Sequence, residues 1–339
     1  MSQNLFILEE RSQVGDARRA VINLAQSVGF DSERADTAGL AATEMASNVL
    51  KHAGRGRMLV RPLHRDGVGG VELIALDKGP GIVDVPASLR DGRSTSGTSG
   101  GEMGALSLMS QSLEIFAVPA RGTALRVELW AKALPLKVQS IEVGGLCIPK
   151  YGEPVSGDGW AVEEGLDQLS VLVADGLGHG VYAHEAAQAA VDTFHAHARA
   201  EPGAILDACH RALARTRGAV VATAKVFASA ERGTFAGVGN IVSRVEGPDR
   251  GRHLISHDGT VGHTMRKVQE YSFPWPRGAL LILHSDGLGT HWSLASYPGL
   301  ASRHPALIAA VLYRDHERGR DDVAVVVLRN REGPPRAGE

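Results

Sequence analysis

The chain has 339 residues, with 36 Lys and Arg against 38 Asp and Glu and a formal charge of −2. That balance argues against a broad basic footprint for nucleic acid. Its two cysteines, Cys147 and Cys209, exclude a disulfide framework or a Cys-rich zinc site and suit a reducing cytoplasm. The N-terminal MSQNLFILEERSQ lacks a basic stretch ahead of an apolar core, and no apolar run reaches about 18 residues. Neither a secretory signal nor a membrane span is therefore expected. The length suggests roughly two domains of ~150 residues. Glycine is abundant, 41 residues against 5% aromatics, and it clusters at 79–104, 144–180 and 233–289.

In chain order, the apolar spacing predicts helices over 12–27 and 32–52. Short strands follow at 58–62 and 71–77, separated by a Gly-rich turn at 66–70. A helix over 105–111 and a hairpin of strands 113–118 and 123–130 complete an α+β sandwich, with helices on one face of a mixed sheet. Ala133-Leu134-Pro135-Leu136 marks a boundary. Beyond it strands dominate, at 139–148, 168–174, 220–228, 234–245, 279–285 and 323–329. Helices are predicted over 181–200, 203–217 and 305–317. Two sheets packed face to face with helices outside fit that order. The expected division is 1–133, a linker at 134–140, a second domain at 141–331 and a disordered tail at 332–339.

Three features of the first segment line up. Glu44, Asn48 and His52 recur every four residues and share one helix face. A carboxylate there can deprotonate a nucleophile, and a carboxamide oxygen can complete an Mg²⁺ shell. A solvated polar stripe has the same spacing. Asp77-Lys78-Gly79-Pro80-Gly81 follows an apolar strand. Its carboxylate can accept from an exocyclic amine such as adenine's, although a simple turn reads the same way. The run Ser94 to Gly104 opens a helix, where glycine amides can face phosphate.

In this order and spacing these residues resemble the GHKL (Bergerat) ATP-binding family, in its RsbT/RsbW-like branch of partner-switching serine kinases. The resemblance extends to Asp91–Thr98 and to Gly122-Thr123. It implies Glu44 as catalytic base and Asn48 as Mg²⁺ ligand. Asp77 and Thr123 would contact adenine, Gly79 and Gly81 would make room for it, and Gly100, Gly101 and Gly104 would form the phosphate loop. The chain departs from the family at Glu102, where a further glycine is usual. A carboxylate there opposes phosphate, and its Cβ restricts the backbone.

In the second segment four acidic positions fall at the ends of apolar strands: Asp158, Asp175, Asp286 and the pair Asp321-Asp322. Carboxylates gathered there would repel each other. A divalent cation removes that cost, and oxygen donors favour Mg²⁺ or Mn²⁺ over zinc. A pair of such ions can activate water for in-line attack on phosphorus. The motifs, with Gly144–Trp160, Asp175-Gly176-Leu177-Gly178-His179-Gly180 and Gly237–Asn240, resemble the PPM-type metal-dependent protein phosphatases of the SpoIIE/RsbX branch. By that resemblance Asp175 bridges two metals, Gly176 ligates through its carbonyl, Asp286 and Asp321 are ligands, and Asp158 binds directly or through water. Asp322 is a neighbour. His179 either donates a proton to the leaving seryl oxygen or caps the next helix.

The expected architecture is an N-terminal Bergerat α/β sandwich followed by a PPM-type αββα sandwich. The expected activity is a bifunctional, cytoplasmic partner switch. An ATP- and Mg²⁺-dependent kinase and a phosphatase holding two Mn²⁺ or Mg²⁺ would act on one STAS-domain antagonist in a sigma-factor or stress-signalling pathway, with a sigma-factor regulator as a further partner. The alternative is a phosphatase whose first domain only binds nucleotide or sequesters a protein partner.

Overall fold

The computed structural model describes residues 3–82, 85, 100–135, 139–247, 251–266 and 268–331, without the side chains of 100–102. The Asp91–Thr98 motif, part of the linker and the tail at 332–339 lie outside the described residues, as does the side chain of Glu102. The chain divides into two compact units, one of residues 2–137 with 297–303, the other mainly 138–296 and 304–339.

The first unit starts with β1 (Asn4–Leu8), which the sequence reading missed, then α1 (Arg11–Ser27) and α2 (Ser32–Ala53). A capping box between Glu10 and Gln13 opens α1. Asp31 accepts from the Arg34 amide to open α2, and Gly54, at φ +75, ends it. β2 (Gly56–Arg65) and β3 (Val68–Asp77) form a hairpin, followed by α3 (Gly100–Met109), β4 (Ser112–Val118) and β5 (Gly122–Trp130). The β2–β3 turn is tighter than expected: Asp66 and Gly67 alone take positive φ, and Gly69 and Gly70 belong to the strand. Sheet order is β1-β2-β3-β5-β4, and every pairing is antiparallel, so the expected mixed sheet is corrected. Its core joins Ala17, Val21, Ala38, Ala42, Met45 and Leu106 of the helices to Met58, Val60, Leu73, Leu125 and Val127 of the strands.

The second unit begins with β6 (Ile141–Ile148), β7 (Asp158–Glu164) and β8 (Gln168–Gly176). After α4 (Val181–His197) and α5 (Pro202–Ala212) come β9 (Ala219–Phe227), β10 (Arg232–Val238), β11 (Val242–Glu246) and β12 (Arg252–Leu254). A two-residue pair, β13 (Gly259–Thr260) and β14 (Thr264–Met265), precedes β15 (Tyr271–Pro274), β16 (Leu280–His284), α6 (Pro305–His316) and β17 (Val323–Asn330). Two five-stranded sheets result, β15-β10-β9-β8-β7 and β12-β11-β16-β17-β6. The alternation of β8 explains the layering. Leu169, Val171 and Val173 face the inter-sheet core with Phe235, Leu281, Leu283 and Val326, whereas Leu172 and Ala174 lie under Ala187, Ala190 and Phe194 of α4. The αββα arrangement is therefore as expected. One expected strand, 234–245, is in fact two strands in different sheets. Gly239, at φ +96 with Val220 where a Cβ would stand, turns the chain between them.

Candidate functional site

On α2, Glu44 is half-buried, Asn48 is buried and His52 is exposed, so the stripe runs from core to solvent. The Asn48 Nδ2 group is buried without a hydrogen-bond partner. Such donors are rare in folded proteins, and one here fits an acceptor supplied by a ligand. Asp77 ends β3, where its Oδ1 accepts from the amides of Gly79 (2.8 Å) and Thr123 (3.1 Å). Gly79 lies against the end of α2, since a Cβ there would come within 2.6 Å of the Ala53 Cβ. The structure thus gathers Asp77, Gly79 and Thr123 at one strand end beside the Asn48 helix. Gly81 turns beside them at φ +72. Gly100, Gly101 and Gly104 fall inside α3, which starts five residues earlier than predicted. They belong to its first turns rather than to a preceding loop.

The second unit concentrates negative charge. β7 opens with Asp158, which the sequence reading left outside any strand. Its register with β8 sets Asp158 directly across from Asp175. Like charges in that position repel. Ser285, next after β16, donates from Oγ to Asp158 Oδ2 (2.5 Å) and accepts from the Ala324 amide of β17 (2.9 Å). One hydroxyl thereby ties together the ends of β7, β16 and β17. Asp286 follows, and its Oδ2 accepts from Asn240 Nδ2 (3.0 Å), from the turn made by Gly239. Asp321 is exposed and accepts from the Asp322 amide (3.0 Å). Asp322 is buried, and its Oδ1 accepts from the Lys150 amide (2.8 Å) while its Oδ2 is buried without a partner. At Gly176 a Cβ would meet the Ala183 carbonyl at 2.1 Å, so only glycine lets α4 come so near.

The electrostatics follow from that crowding. Burial, then the Asp175 carboxylate, pushes Asp158 well above the usual carboxylate range. Burial, with Asp286, Asp321 and Asp322, pushes Asp175 up to about 7. Burial also raises Asp322, against the Lys150 and Gly157 amides. Each carboxylate resists ionising beside the others. The side chains gathered here offer oxygen donors, which fits a hard divalent cation. Among the described residues no three His, Cys, Asp or Glu side chains converge on a ready-made ion site. A bound ion would draw part of its shell from carbonyls and water, as Mg²⁺ does.

The remaining candidates have local explanations. His179 Nδ1 lies 2.6 Å from Glu153 Oε1, a partner that sequence distance hid. His184 bonds the Ser156 carbonyl, and His195 pairs with Glu163. Burial pushes the thiols of Cys147 and Cys209 up to about 12, so both are inert. No helix among the described residues is long and apolar enough to cross a membrane.

Comparison with known proteins places both units. Residues 7–128 match the histidine kinase-like ATPase domain, and residues 166–331 match stage II sporulation protein E (SpoIIE). The serine/threonine-protein kinase RsbT of Bacillus subtilis is 29% identical over 116 residues, covering 34% of this chain and 87% of that protein. The phosphoserine phosphatase RsbX of the same organism is 26% identical over 140 residues, covering 41% of this chain and 70% of that protein. A solved structure described as "The bacterial stressosome: a modular system that has been adapted to control secondary messenger signaling" is 28% identical at a TM-score of 0.53, covering 56% of this chain and all of its own. The chain therefore joins a GHKL-like ATPase domain to a SpoIIE-type PPM phosphatase domain, homologous to the kinase RsbT and the phosphatase RsbX respectively.

Proposed function

We propose that the chain is a bifunctional partner switch, in which the second unit removes phosphate from serine or threonine of a STAS-domain protein and the first unit restores it. The observation that carries this reading is the cluster at the strand ends. Asp158, Asp175, Asp286 and Asp321, with the Gly176 carbonyl, would hold two Mn²⁺ or Mg²⁺ ions. Such ions supply a water activated for attack and a positive field for the phosphoryl oxygens. Asp322 braces the segment after β6 through Lys150, and Ser285 fixes Asp158. His179, aligned by Glu153, stands at the turn after Asp175, where a proton can reach the leaving seryl oxygen.

In the first unit, Glu44 would take the proton of the acceptor hydroxyl, Asn48 would hold Mg²⁺ and Asp77 would read adenine. The buried Nδ2 of Asn48 supports a ligand at that point. Both activities in one chain would raise the effective concentration of each site around their shared partner. Glu102, at the start of α3, favours the second reading, in which this unit binds nucleotide or partner without turnover.

Mass spectrometry of a co-expressed STAS protein tests the reading. Phosphorylation should rise when Asp175→Ala and Asp286→Ala disable the phosphatase, and vanish in an Asn48→Ala, Asp77→Ala variant of that background. An unmodified partner in the phosphatase-dead chain would leave the phosphatase alone standing.

A further inference from the structure

The turn after Asp175 carries a feature that the hydrolytic chemistry does not use. Residues 216–218, between α5 and β9, are locked to it. The Leu177 amide donates to the Gly218 carbonyl (3.0 Å), and the Gly218 amide donates to Thr216 Oγ1 (3.0 Å). His263 Nε2 lies 3.1 Å from the Thr216 carbonyl. Arg217 therefore leaves from a fixed backbone.

Its guanidinium lies over the Tyr182 ring, 5.0 Å from the centroid. Its Nη1 passes 2.9 Å from where a Cβ on Gly178 would stand, so the side chain is laid across the glycine turn. Tyr182 is itself 61% exposed, and Leu177 and Val181 beside it are 41% and 54% exposed. Tyr182, which carries the cation, and the nearby Leu177 and Val181 thus all face solvent within six residues. Among the described residues no carboxylate pairs with Arg217. Arg and Tyr on a rigid, exposed apolar bed are the residue types that carry binding energy at protein interfaces. An Arg fork that no described carboxylate occupies can take one bidentately.

We propose that Arg217, bedded on Tyr182 with Leu177 and Val181, is the specificity-determining contact for an acidic segment of the phosphoprotein, and that it selects phosphoserine flanked by carboxylates. The proposal rests on the phosphatase reading. A cation fixed beside the turn that follows Asp175 attracts an acidic flank during approach. Because Arg217 is held on the Tyr182 side of the turn, it grips the flank and leaves the reacting phosphoryl group to the carboxylate centre.

The test uses the full chain with Mn²⁺ and three substrates. These are two phosphoserine peptides, identical except for Glu or Lys flanks, and p-nitrophenyl phosphate. Wild type should favour the Glu-flanked peptide in kcat/KM by about tenfold. Arg217→Ala should erase that preference through KM, Arg217→Glu should invert it, and Tyr182→Ala should weaken it. Turnover of p-nitrophenyl phosphate should stay within about twofold throughout. Equal losses on all three substrates, or an unchanged flank preference in Arg217→Glu, overturn the proposal. A wild-type chain inactive on every substrate overturns the phosphatase reading itself.

Discussion

Two clusters of charged side chains among the described residues are built on opposite rules. In the first unit Glu72 of β3 sits between Arg61 of β2 and Arg126 of β5, with Arg61 Nε at 2.5 Å and Arg126 Nε at 2.7 Å. Arg126 also pairs with Glu128, and all four side chains are buried. The two guanidinium groups meet Glu72 and Glu128, with Glu114 of β4 across from Arg126, so each cation finds carboxylates within the sheet. In the second unit Asp158, Asp175, Asp286, Asp321 and Asp322 gather with amides, a hydroxyl and one carboxamide as partners. The first arrangement braces a sheet; the second is the candidate site. Balance marks a structural use of buried charge, and one-sided imbalance marks a place reserved for a ligand of opposite sign.

The largest expected effect breaks the imbalance directly. Asp175→Ala with Asp286→Ala should lower hydrolysis of a phosphoserine peptide by about a thousandfold or more, because the field that positions and activates water is lost. Steady-state kinetics check this. Unchanged turnover would move the chemistry elsewhere.

Breaking the balance should act on folding instead. Glu72→Ala leaves two buried guanidinium groups facing each other and should cost about 3–5 kcal/mol. Urea dependence of hydrogen exchange at the β2, β3 and β5 amides of the full chain reads that loss. A shift below about 1 kcal/mol would mean that the network is not buried as described.

The pH dependence sharpens the contrast. Asp175 in the fold titrates at about 7, above the ordinary carboxylate value of 3.8. The folded state therefore holds its proton more tightly than the unfolded chain does. Stability from this source is complete below the unfolded value and is lost as pH rises through about 7. In chelator, thermal unfolding should fall to lower temperature across that window, and millimolar Mg²⁺ or Mn²⁺ should flatten the slope. His284 has the opposite sign. Burial lowers it to about 4, outweighing the bond from Nδ1 to the Ser285 carbonyl, which acts the other way. Its contribution is present above about 6.5 and lost as pH falls through about 4.

The smallest effect concerns His179. Glu153→Ala removes the partner that orients the imidazole. It should lower kcat several-fold on a phosphoserine peptide and leave p-nitrophenyl phosphate, whose leaving group needs no proton, within about twofold. Equal losses on both substrates would assign the pair a purely structural role.

Much of this was legible in the residue order, for identifiable reasons. Asp175 and Asp286 stand out because each ends an unbroken apolar strand beside glycine, and helix spacing alone put Glu44 and Asn48 on one face. Contacts across long sequence distance were hidden. Nothing local says that Ser285 will reach Asp158, that Asn240 will reach Asp286, or that Glu153 will meet His179. The strand opening at Asp158 was missed because Gly157-Asp158-Gly159 reads as a turn until pairing with β8 overrides it. The Arg61–Glu72–Arg126 network was missed because alternating charges in a strand read as a solvated face. The break at Gly239 was missed because the residues on both sides are good strand formers.

The central claim is that the imbalance is there to hold divalent metal. Calorimetric titration of Mn²⁺ into the chelator-treated full chain at pH 7, in two buffers of different ionisation heat, tests it most directly. The account predicts saturable binding with release of protons, since the burial and crowding that raise Asp158 and Asp175 are offset when the cation arrives. It also predicts that both binding and proton release are lost in the Asp175→Ala, Asp286→Ala variant. No binding by the wild-type chain, or equal binding by the variant, would contradict it.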